Sequence, residues 1–276
     1  MTAQDDKDAR VVRVEVEVPG TPEEVWQAIA TGPGLECWFV PAEVEEHEGG
    51  TIKTDHGPFG ESTGTVTVWE PPHRFAYEER DWHPDRPDPP PWATEILVEA
   101  RSGGTCVVRL ASGLFSNAAD WADEIDPTED GWRQGLQNLR LYMTHYRGQT
   151  CASLFVLSET EGSADAAWEA VAGGLGLLGA REGESVETAP GLPRMRGVVE
   201  RKDEHGIVLR ADEPAPGLME FFAFDFKGPT LIFVRGYMYG DPGPAAVARE
   251  ESVWREWLSG QLPGADASAE HAVRAS

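Results

Sequence analysis

The chain repeats one order of sequence patterns twice, and this repeat limits the folds that it can adopt. Residues 25–35 and 167–177 carry the same residue type at six of eleven positions, including Trp26 and Trp168. In both copies a predicted strand comes before this stretch, and short β-branched runs and a last helical pattern follow it. A repeat of a whole set of elements predicts two domains of one architecture, with a boundary near Gly148.

The first copy, residues 10–147, has the pattern of an α+β domain. Apolar and polar residues alternate over 11–18, which predicts a half-buried strand. Thr21-Pro22-Glu23-Glu24 is a capping-box sequence that predicts a helix start, and Gly32-Pro33-Gly34 predicts where that helix stops before a short turn. Six short β-branched runs separated by Gly or Pro turns then predict the hairpins of an antiparallel sheet.

A long helix is predicted to close the first copy. Asp126-Pro127-Thr128-Glu129 repeats the capping-box logic, and apolar residues at helical spacing begin at Trp132. The second copy, residues 151–262, predicts a shorter version of the same domain, with Ser163 as a helix cap and Trp254 at the place of Trp132. Residues 263–276 are rich in Ala, Ser and charge and predict a disordered tail.

Two motifs suggest a bound group but are better explained by the fold. Residues 174–179 satisfy the dinucleotide fingerprint GxGxxG, which needs a strand before it and a helix after it. Here a helix precedes the motif, so we predict a helix-ending turn and no cofactor. The acidic residues at 120–130 lack the ligand spacing of a calcium loop, and the histidines show no zinc-binding spacing. We predict no metal site and no catalytic residue.

Charge and cysteine content limit the kinds of binding partner and the cellular compartment that the sequence predicts. The 48 acidic and 23 basic residues give a net charge of −25, which disfavours binding to nucleic-acid phosphates or an anionic membrane. No run approaches the ~18 apolar residues of a membrane-spanning helix. Three cysteines without paired spacing and a polar start predict a cytoplasmic protein. The excess of Arg over Lys, with abundant Ala and Gly, is typical of a bacterium with GC-rich DNA.

Eight short motifs of the first copy occur in the order, and at compatible spacing, of a known family. They are Thr21–Trp26, Leu35–Phe39, Gly49–Gly50, Gly64–Val66, Trp69–Tyr77, Ser102–Thr105, Ser112–Gly113 and Gly131–Trp132. On these motifs the copy resembles the activator of heat-shock-protein-90 ATPase homologue group of the START-like (SRPBCC, Bet v-type) superfamily. The resemblance implies a helix-grip fold, in which a curved antiparallel sheet wraps around a long C-terminal helix and leaves an apolar cavity. Many members carry a histidine where this chain has Ala111.

The residues that would surround such a cavity include many aromatic ones. The candidates for ligand binding are Trp38, Trp69, Tyr77, Trp82, Arg109 and Trp132. Plain core packing is the alternative explanation for the aromatic residues. Tyr77 follows Phe75 by two residues, so both face one way, inward by the family alignment, and a ligand could partner the hydroxyl. Arg109 needs a carboxylate or an anionic ligand if it points inward, and is a surface residue if it points outward.

We therefore predict an α+β protein made of two tandem helix-grip domains, and three classes of function remain open. The leading one is a small-molecule binding protein that holds a hydrophobic or aromatic ligand in the first domain. The second, implied by the family name, is a co-chaperone-like module that binds a chaperone or another protein and regulates an ATPase. A polyketide cyclase or hydrolase-type enzyme comes last, because no acid–base pair is evident. Fold resemblance alone does not choose among them.

Overall fold

A computed structural model describes residues 10–80, 82, 89–114, 122–225 and 229–262, with the backbone alone at residue 10 and at 122–128. The chain divides into two compact units. The first comprises Met1–His56 and Gly60–Gln149, and the second comprises Gly57–Phe59 and Thr150–Ser276. The predicted tail, 263–276, lies outside the described residues, and the predicted domain limits remain predictions.

The first unit is built on a seven-stranded antiparallel sheet with the strand order β1-β7-β6-β5-β4-β3-β2. Its strands are β1 (Arg10–Pro19), β2 (Ala42–Val44), β3 (Thr51–Asp55), β4 (Glu61–Glu70), β5 (Arg74–Glu79), β6 (Trp92–Arg101) and β7 (Thr105–Leu114). Its helices are α1 (Pro22–Ala30), α2 (Gly32–Glu36) and α3 (Ala122–His145). Helix α3 packs along β1, and α1 packs on α2 and β6.

The start and the stop of α1 follow the prediction, but a second short helix begins directly after the stop, where a turn was predicted. The Thr21 side chain accepts a hydrogen bond from the Glu24 amide, and the Glu24 carboxylate accepts one from the Thr21 amide at 2.8 Å. Helix α1 ends at Ala30, but Thr31 then caps α2 by accepting a hydrogen bond from the Gly34 amide at 3.1 Å. Gly32-Pro33-Gly34 thus separates two helices and also forms the first turn of the second, because Pro33 fits the first turn of a helix as well as it fits a turn.

Helix α3 begins at Ala122, four residues before the predicted start at Asp126. Its first turns carry Asp and Glu, which suit the positive end of a helix dipole but add nothing to an apolar pattern. The periodicity could therefore locate the helix only from Trp132 onward. The predicted buried face is confirmed, since its members are all less than one-tenth exposed: Trp132, Leu136, Leu139, Met143 and Tyr146.

The second unit has a six-stranded antiparallel sheet with the order β8-β13-β12-β11-β10-β9. Its strands are β8 (Cys151–Thr160), β9 (Ser185–Glu187), β10 (Arg196–Asp203), β11 (Gly206–Glu213), β12 (Gly217–Asp225) and β13 (Thr230–Tyr239). Its helices are α4 (Ala164–Gly174), which packs on β12 and β13, and α5 (Gly243–Gln261), which packs on β8 and β13. Each unit thus joins an open antiparallel sheet to a long C-terminal helix, which confirms the predicted fold class.

The start and end of α4 also follow the sequence. The Ser163 hydroxyl accepts a hydrogen bond from the Ala166 amide at 3.3 Å, so Ser163 is the predicted cap. The helix ends at Gly174, and Gly176 has a φ of +74°, a conformation that glycine adopts without strain. The GxGxxG sequence therefore ends a helix, as predicted. None of the helices in the described ranges is both long and apolar enough to cross a membrane.

We expect a fragment of residues 10–149 to fold without the second unit. All seven strands of its sheet pair with one another, and the buried face of α3 packs along β1. Thermal unfolding followed by far-UV circular dichroism should show one cooperative transition. A broad, non-cooperative loss of signal would mean that the two units share a core and that the boundary is misplaced.

Candidate functional site

The inner face of the first sheet, defined here as the face that buries Val98, Val108 and Val16, has an apolar end and a polar end. Strand register places its residues in rows. The apolar rows are Val16–Val108–Val98 and Val14–Leu110–Ile96–Phe75–Trp69. The polar rows are Val12–Ser112–Thr94–Tyr77–Val66 and Leu114–Trp92–Glu79–Gly64–Ile52. A β-bulge between Val66 and Val68 allows Val66 and Trp69, three residues apart, to share this face.

A chain of hydrogen bonds connects the polar rows. Tyr77 is hydrogen-bonded to the side chain of Thr94, whose Oγ1 lies 2.8 Å from Oγ of Ser112. The indole Nε1 of Trp92 donates to the same Ser112 oxygen at 2.9 Å. All four residues are buried. Burial raises the pKa of Tyr77 far above its usual range, so this hydroxyl stays protonated.

Glu79 lies on the inner face beside this network. It follows Phe75 and Tyr77 at two-residue spacing, and it is half-buried. The Ser62 hydroxyl donates a hydrogen bond to its carboxylate. A Cβ atom at Gly64 would come within 3.1 Å of Cγ of Glu79, so the side chain lies across this glycine. Burial raises the pKa of Glu79, and its charge in turn raises the pKa of Tyr77, because the two groups are neighbours.

No cation among the described side chains of this sheet shares the inner face with Glu79. Arg10, described by its backbone alone, has an inner-face position in β1, where it pairs with Leu114, three strands from Glu79. The lysine and the other arginines of the strands alternate with inner-face residues, and their carboxylate partners lie on the outer face as well. The outer ion pairs are Arg109 with Glu15 at 3.1 Å and with Glu99, Arg74 with Glu95 at 2.7 Å, and Arg80 with Glu78 at 3.2 Å. Glu79 therefore differs from its neighbours in having only a hydroxyl partner among the residues that the structure describes.

Aromatic rings surround the inner face in separate groups. Trp26 of α1 meets Trp69 edge-on at 5.0 Å between ring centroids, and both contact Phe75. Phe75 lies 5.7 Å from Tyr77, so this group reaches the polar rows. Trp82 meets Trp92 at 5.1 Å, and its Nε1 donates to the Pro90 carbonyl at 2.9 Å.

A third aromatic group lies between α2, α3 and the end of β3. Phe39 stacks on Trp132 with centroids 4.7 Å apart and contacts Trp38 at 5.7 Å. His56 meets Phe39 edge-on at 5.8 Å, and its Nε2 lies 3.0 Å from Oγ1 of Thr54. The pairing partner of Thr54 in β4 is Ser62, so this group approaches the polar end from the side of β3.

Residues 19–144 match the model of a family described as Activator of Hsp90 ATPase homolog 1-like protein. The matched residues lie within the first unit, which is therefore similar to this family. A comparison of the chain with curated proteins finds no match. The match covers the sheet from the end of β1 and nearly all of α3, so the candidate site lies inside the family domain.

Solved structures with a similar fold include single-domain and two-domain proteins. The di-domain ARO/CYC protein BexL from the BE-7585A biosynthetic pathway is 15% identical, with a TM-score of 0.44, over 92% of this chain and 94% of its own. DynU16, a putative protein of the dynemicin biosynthetic locus, is 14% identical, with a TM-score of 0.43, over 92% and 97%. The Aha1 dimer from Colwellia psychrerythraea is 19% identical, with a TM-score of 0.42, over 51% and 100%. At these scores the likenesses assign no function to this chain.

Two of the six candidate ligand residues take other roles in the first unit. Trp38 is fully buried and donates its Nε1 hydrogen to the Ala28 carbonyl at 2.9 Å, so it joins two helices as a core residue. Arg109 points to the outer face, because residues adjacent in a strand point to opposite faces and Val108 and Leu110 point inward. We therefore leave Arg109 out of the site. Ala111, two residues later, also has an outer-face position.

The other four candidates remain at the inner face, but they do not form one cluster. Tyr77 and Trp69 lie on it, Trp82 borders it through Trp92, and Trp132 contacts it through Phe39. The Tyr77 hydroxyl, for which the sequence offered a ligand as a partner, is already hydrogen-bonded to Thr94. The sequence interpretation missed Glu79, Ser62, Thr94 and Ser112. Continuing the two-residue alternation from Phe75 and Tyr77 would have found Glu79, whereas the others depend on strand register.

In the second sheet, the described inner-face residues at the end that matches the polar end of the first sheet are apolar. A cluster of buried apolar side chains that includes Trp168, Phe221 and Trp254 covers most of this face, and the polar residues Ser158, Thr230 and Asp225 lie at its opposite end. In the parts of both units that the structure describes, no group of three His, Cys, Asp or Glu side chains could hold a metal ion. The polar end of the first sheet is therefore the candidate site.

Proposed function

We propose that the first unit binds a hydrophobic or aromatic small molecule on the inner face of its sheet, with one polar group of the ligand at the polar end. The observation that carries this proposal is the concentration of polar side chains at one end of an otherwise apolar, aromatic-rich face. Small-molecule sites have this composition, because apolar area supplies affinity and a few placed polar groups fix the orientation. The half-buried Glu79 supports the proposal, because its partner among the described residues is a single hydroxyl and a carboxylate gains from a further donor.

Native mass spectrometry of freshly purified full-length protein tests whether a small molecule is retained. We expect an added mass that disappears on denaturation, and tandem spectra would identify its class. Titration with 2-methylnaphthalene and 2-naphthylmethanol, followed by calorimetry, provides the second test. Failure of both compounds to bind below millimolar concentration, together with an empty native protein, would contradict the proposal.

Replacing Tyr77 with phenylalanine should weaken 2-naphthylmethanol binding by about 0.5–1.5 kcal/mol and leave 2-methylnaphthalene binding almost unchanged. The substitution removes the hydroxyl that ends the chain through Thr94 and Ser112 and leaves the ring against Phe75. Calorimetric dissociation constants for the two compounds measure the difference. Tyr142→Phe is the matched control, because its hydroxyl accepts from the Gly148 amide and it lies on α3. Equal losses for both compounds, or in both variants, would count against a polar contact at Tyr77.

The family match supports a second candidate function, a protein-interaction module that acts on a chaperone ATPase. The description of the family names an activator of such an ATPase. Co-purification with a bacterial chaperone, followed by a measured change in its ATPase rate, would test this candidate. Stimulation of the ATPase by a protein that binds no small molecule would place this function first.

A further inference from the structure

We propose that the ligand of the first unit carries a cationic amine, and that Glu79 is the residue that selects for it. This inference rests on the proposed function, because it assumes that a ligand occupies the inner face. It goes beyond that function by naming the charge of the ligand and the group that recognises it.

The first argument is the missing counter-charge. Each outer-face carboxylate named above pairs with an arginine of the same sheet, whereas Glu79 has only the Ser62 hydroxyl among the described residues. A half-buried carboxylate is costly without a cation, because burial removes water from the charged form. A ligand ammonium group at this position would supply the missing charge and up to three hydrogen-bond donors.

The second argument is the set of aromatic neighbours. Glu79 is directly opposite Trp92 in the register of β5 and β6, and Tyr77 is the adjacent inner-face residue on its own strand. Trp82 packs edge-on against Trp92. Electron-rich rings attract cations, and they attract anionic groups far less. An anionic ligand would moreover be repelled by the charge of Glu79 and would meet no described cationic side chain on this face, so a carboxylate is the worst fit.

The third argument is the placement of the Glu79 side chain. Gly64 is opposite Glu79 on β4, and a Cβ atom there would come within 3.1 Å of Cγ of Glu79 and 3.2 Å of Cγ2 of Ile52. Because Gly64 has no side chain, the Glu79 side chain can lie across β4 on the inner face. The net charge of −25 additionally raises the concentration of cations near the protein.

Three naphthalene probes with one carbon body test the inference on the full-length protein. They are 2-naphthylmethylamine, 2-naphthylmethanol and 2-naphthoic acid, titrated by calorimetry at neutral pH and 150 mM salt, roughly physiological ionic strength. We expect the amine to bind about 10–100-fold more tightly than the alcohol, as for a hydrogen bond between charged groups, and the acid to bind weakest. In Glu79→Gln the preference for the amine should disappear, whereas binding of the alcohol should stay within about threefold.

Glu78→Gln is the matched control, since Glu78 is the next residue on the same strand, points outward and pairs with Arg80. It changes the net charge by the same amount and should keep the full preference. If Glu79→Gln fails to fold, Glu79→Asp and the ratio of amine to alcohol in the wild type still decide the question. Equal binding of amine and alcohol, or equal loss in both glutamine variants, would overturn the inference and leave the proposed function intact. Failure of every probe would overturn the proposed function as well.

Discussion

Replacing Trp254 with alanine should lower the free energy of unfolding of the second unit by about 3–5 kcal/mol, the range for removing a large buried aromatic side chain. Trp254 is fully buried on α5, and its ring lies 5.2 Å from Phe221 and 5.9 Å from Trp257. The remaining space would lie inside one continuous core, where neighbours relax only in part. Urea unfolding followed by far-UV circular dichroism measures the change without relying on the lost fluorescence.

Two further variants make the Trp254 result specific. The Nε1 hydrogen of Trp254 is buried and has no hydrogen-bond partner among the described residues. Trp254→Phe should therefore cost much less than Trp254→Ala, because it keeps a ring and removes an unsatisfied donor. Val253→Ala is the control, since Val253 is 38% exposed and should shift stability by no more than about 0.5 kcal/mol. A loss below about 1 kcal/mol in Trp254→Ala would show that this core is not closely packed.

Replacing Gly34 with alanine should destabilise the first unit by about 3 kcal/mol, the upper part of the range for overpacking. A Cβ atom at this position would come within 2.0 Å of the Gln27 carbonyl oxygen and 2.8 Å of Cα of Ala28. Both contacts are with the backbone of α1, so no side chain can turn aside to make room. The two helices would have to separate, and the buried Trp38 bonded to Ala28 would lose its contact.

Gly131→Ala tests whether the effect of Gly34→Ala is steric. Gly131 lies in α3, and a Cβ atom there meets nothing within 4 Å. Alanine in an exposed helical position should stabilise the first unit by about 0.5–1 kcal/mol, because glycine loses more backbone freedom on folding. Thermal and urea unfolding of both variants should therefore shift in opposite directions. A neutral Gly34→Ala would mean that α1 and α2 are farther apart than described.

More of the fold than of the site could be predicted, because the helix caps and helix faces depend on residues close in sequence, whereas the site depends on residues far apart in sequence. The Thr21 and Ser163 caps and the face of α3 that begins at Trp132 depend on residues close together in the chain, so local patterns identify them. Glu79, Ser62 and Trp92 meet only through the pairing of three strands, and no spacing within one strand shows that they are neighbours.

The orientation of Arg109 also depends on strand pairing and could not be predicted from the sequence. Its neighbours Val108 and Leu110 are apolar, and the sequence alone does not show whether these two residues or Arg109 face inward. Its partners Glu15 and Glu99 lie on the strands to either side, so the outward orientation became clear only from the register of β1, β7 and β6. The pairing with two carboxylates also removes the reason for an anionic ligand at this position.

The bulge in β4 determines which residues of this strand face inward on each side of it, so an insertion or deletion here changes the face of the residues that follow. With Thr67 as the extra residue, Val66 is opposite Tyr77 and Trp69 is opposite Phe75. Loss of one residue here would turn Trp69 to the solvent side and away from Trp26, whereas loss of two would keep the faces and shift the partners. Related sequences that differ by a single residue between Gly64 and Pro71 must therefore fill the space beside Trp26 differently, and an ungapped alignment across this strand would compare residues from opposite faces.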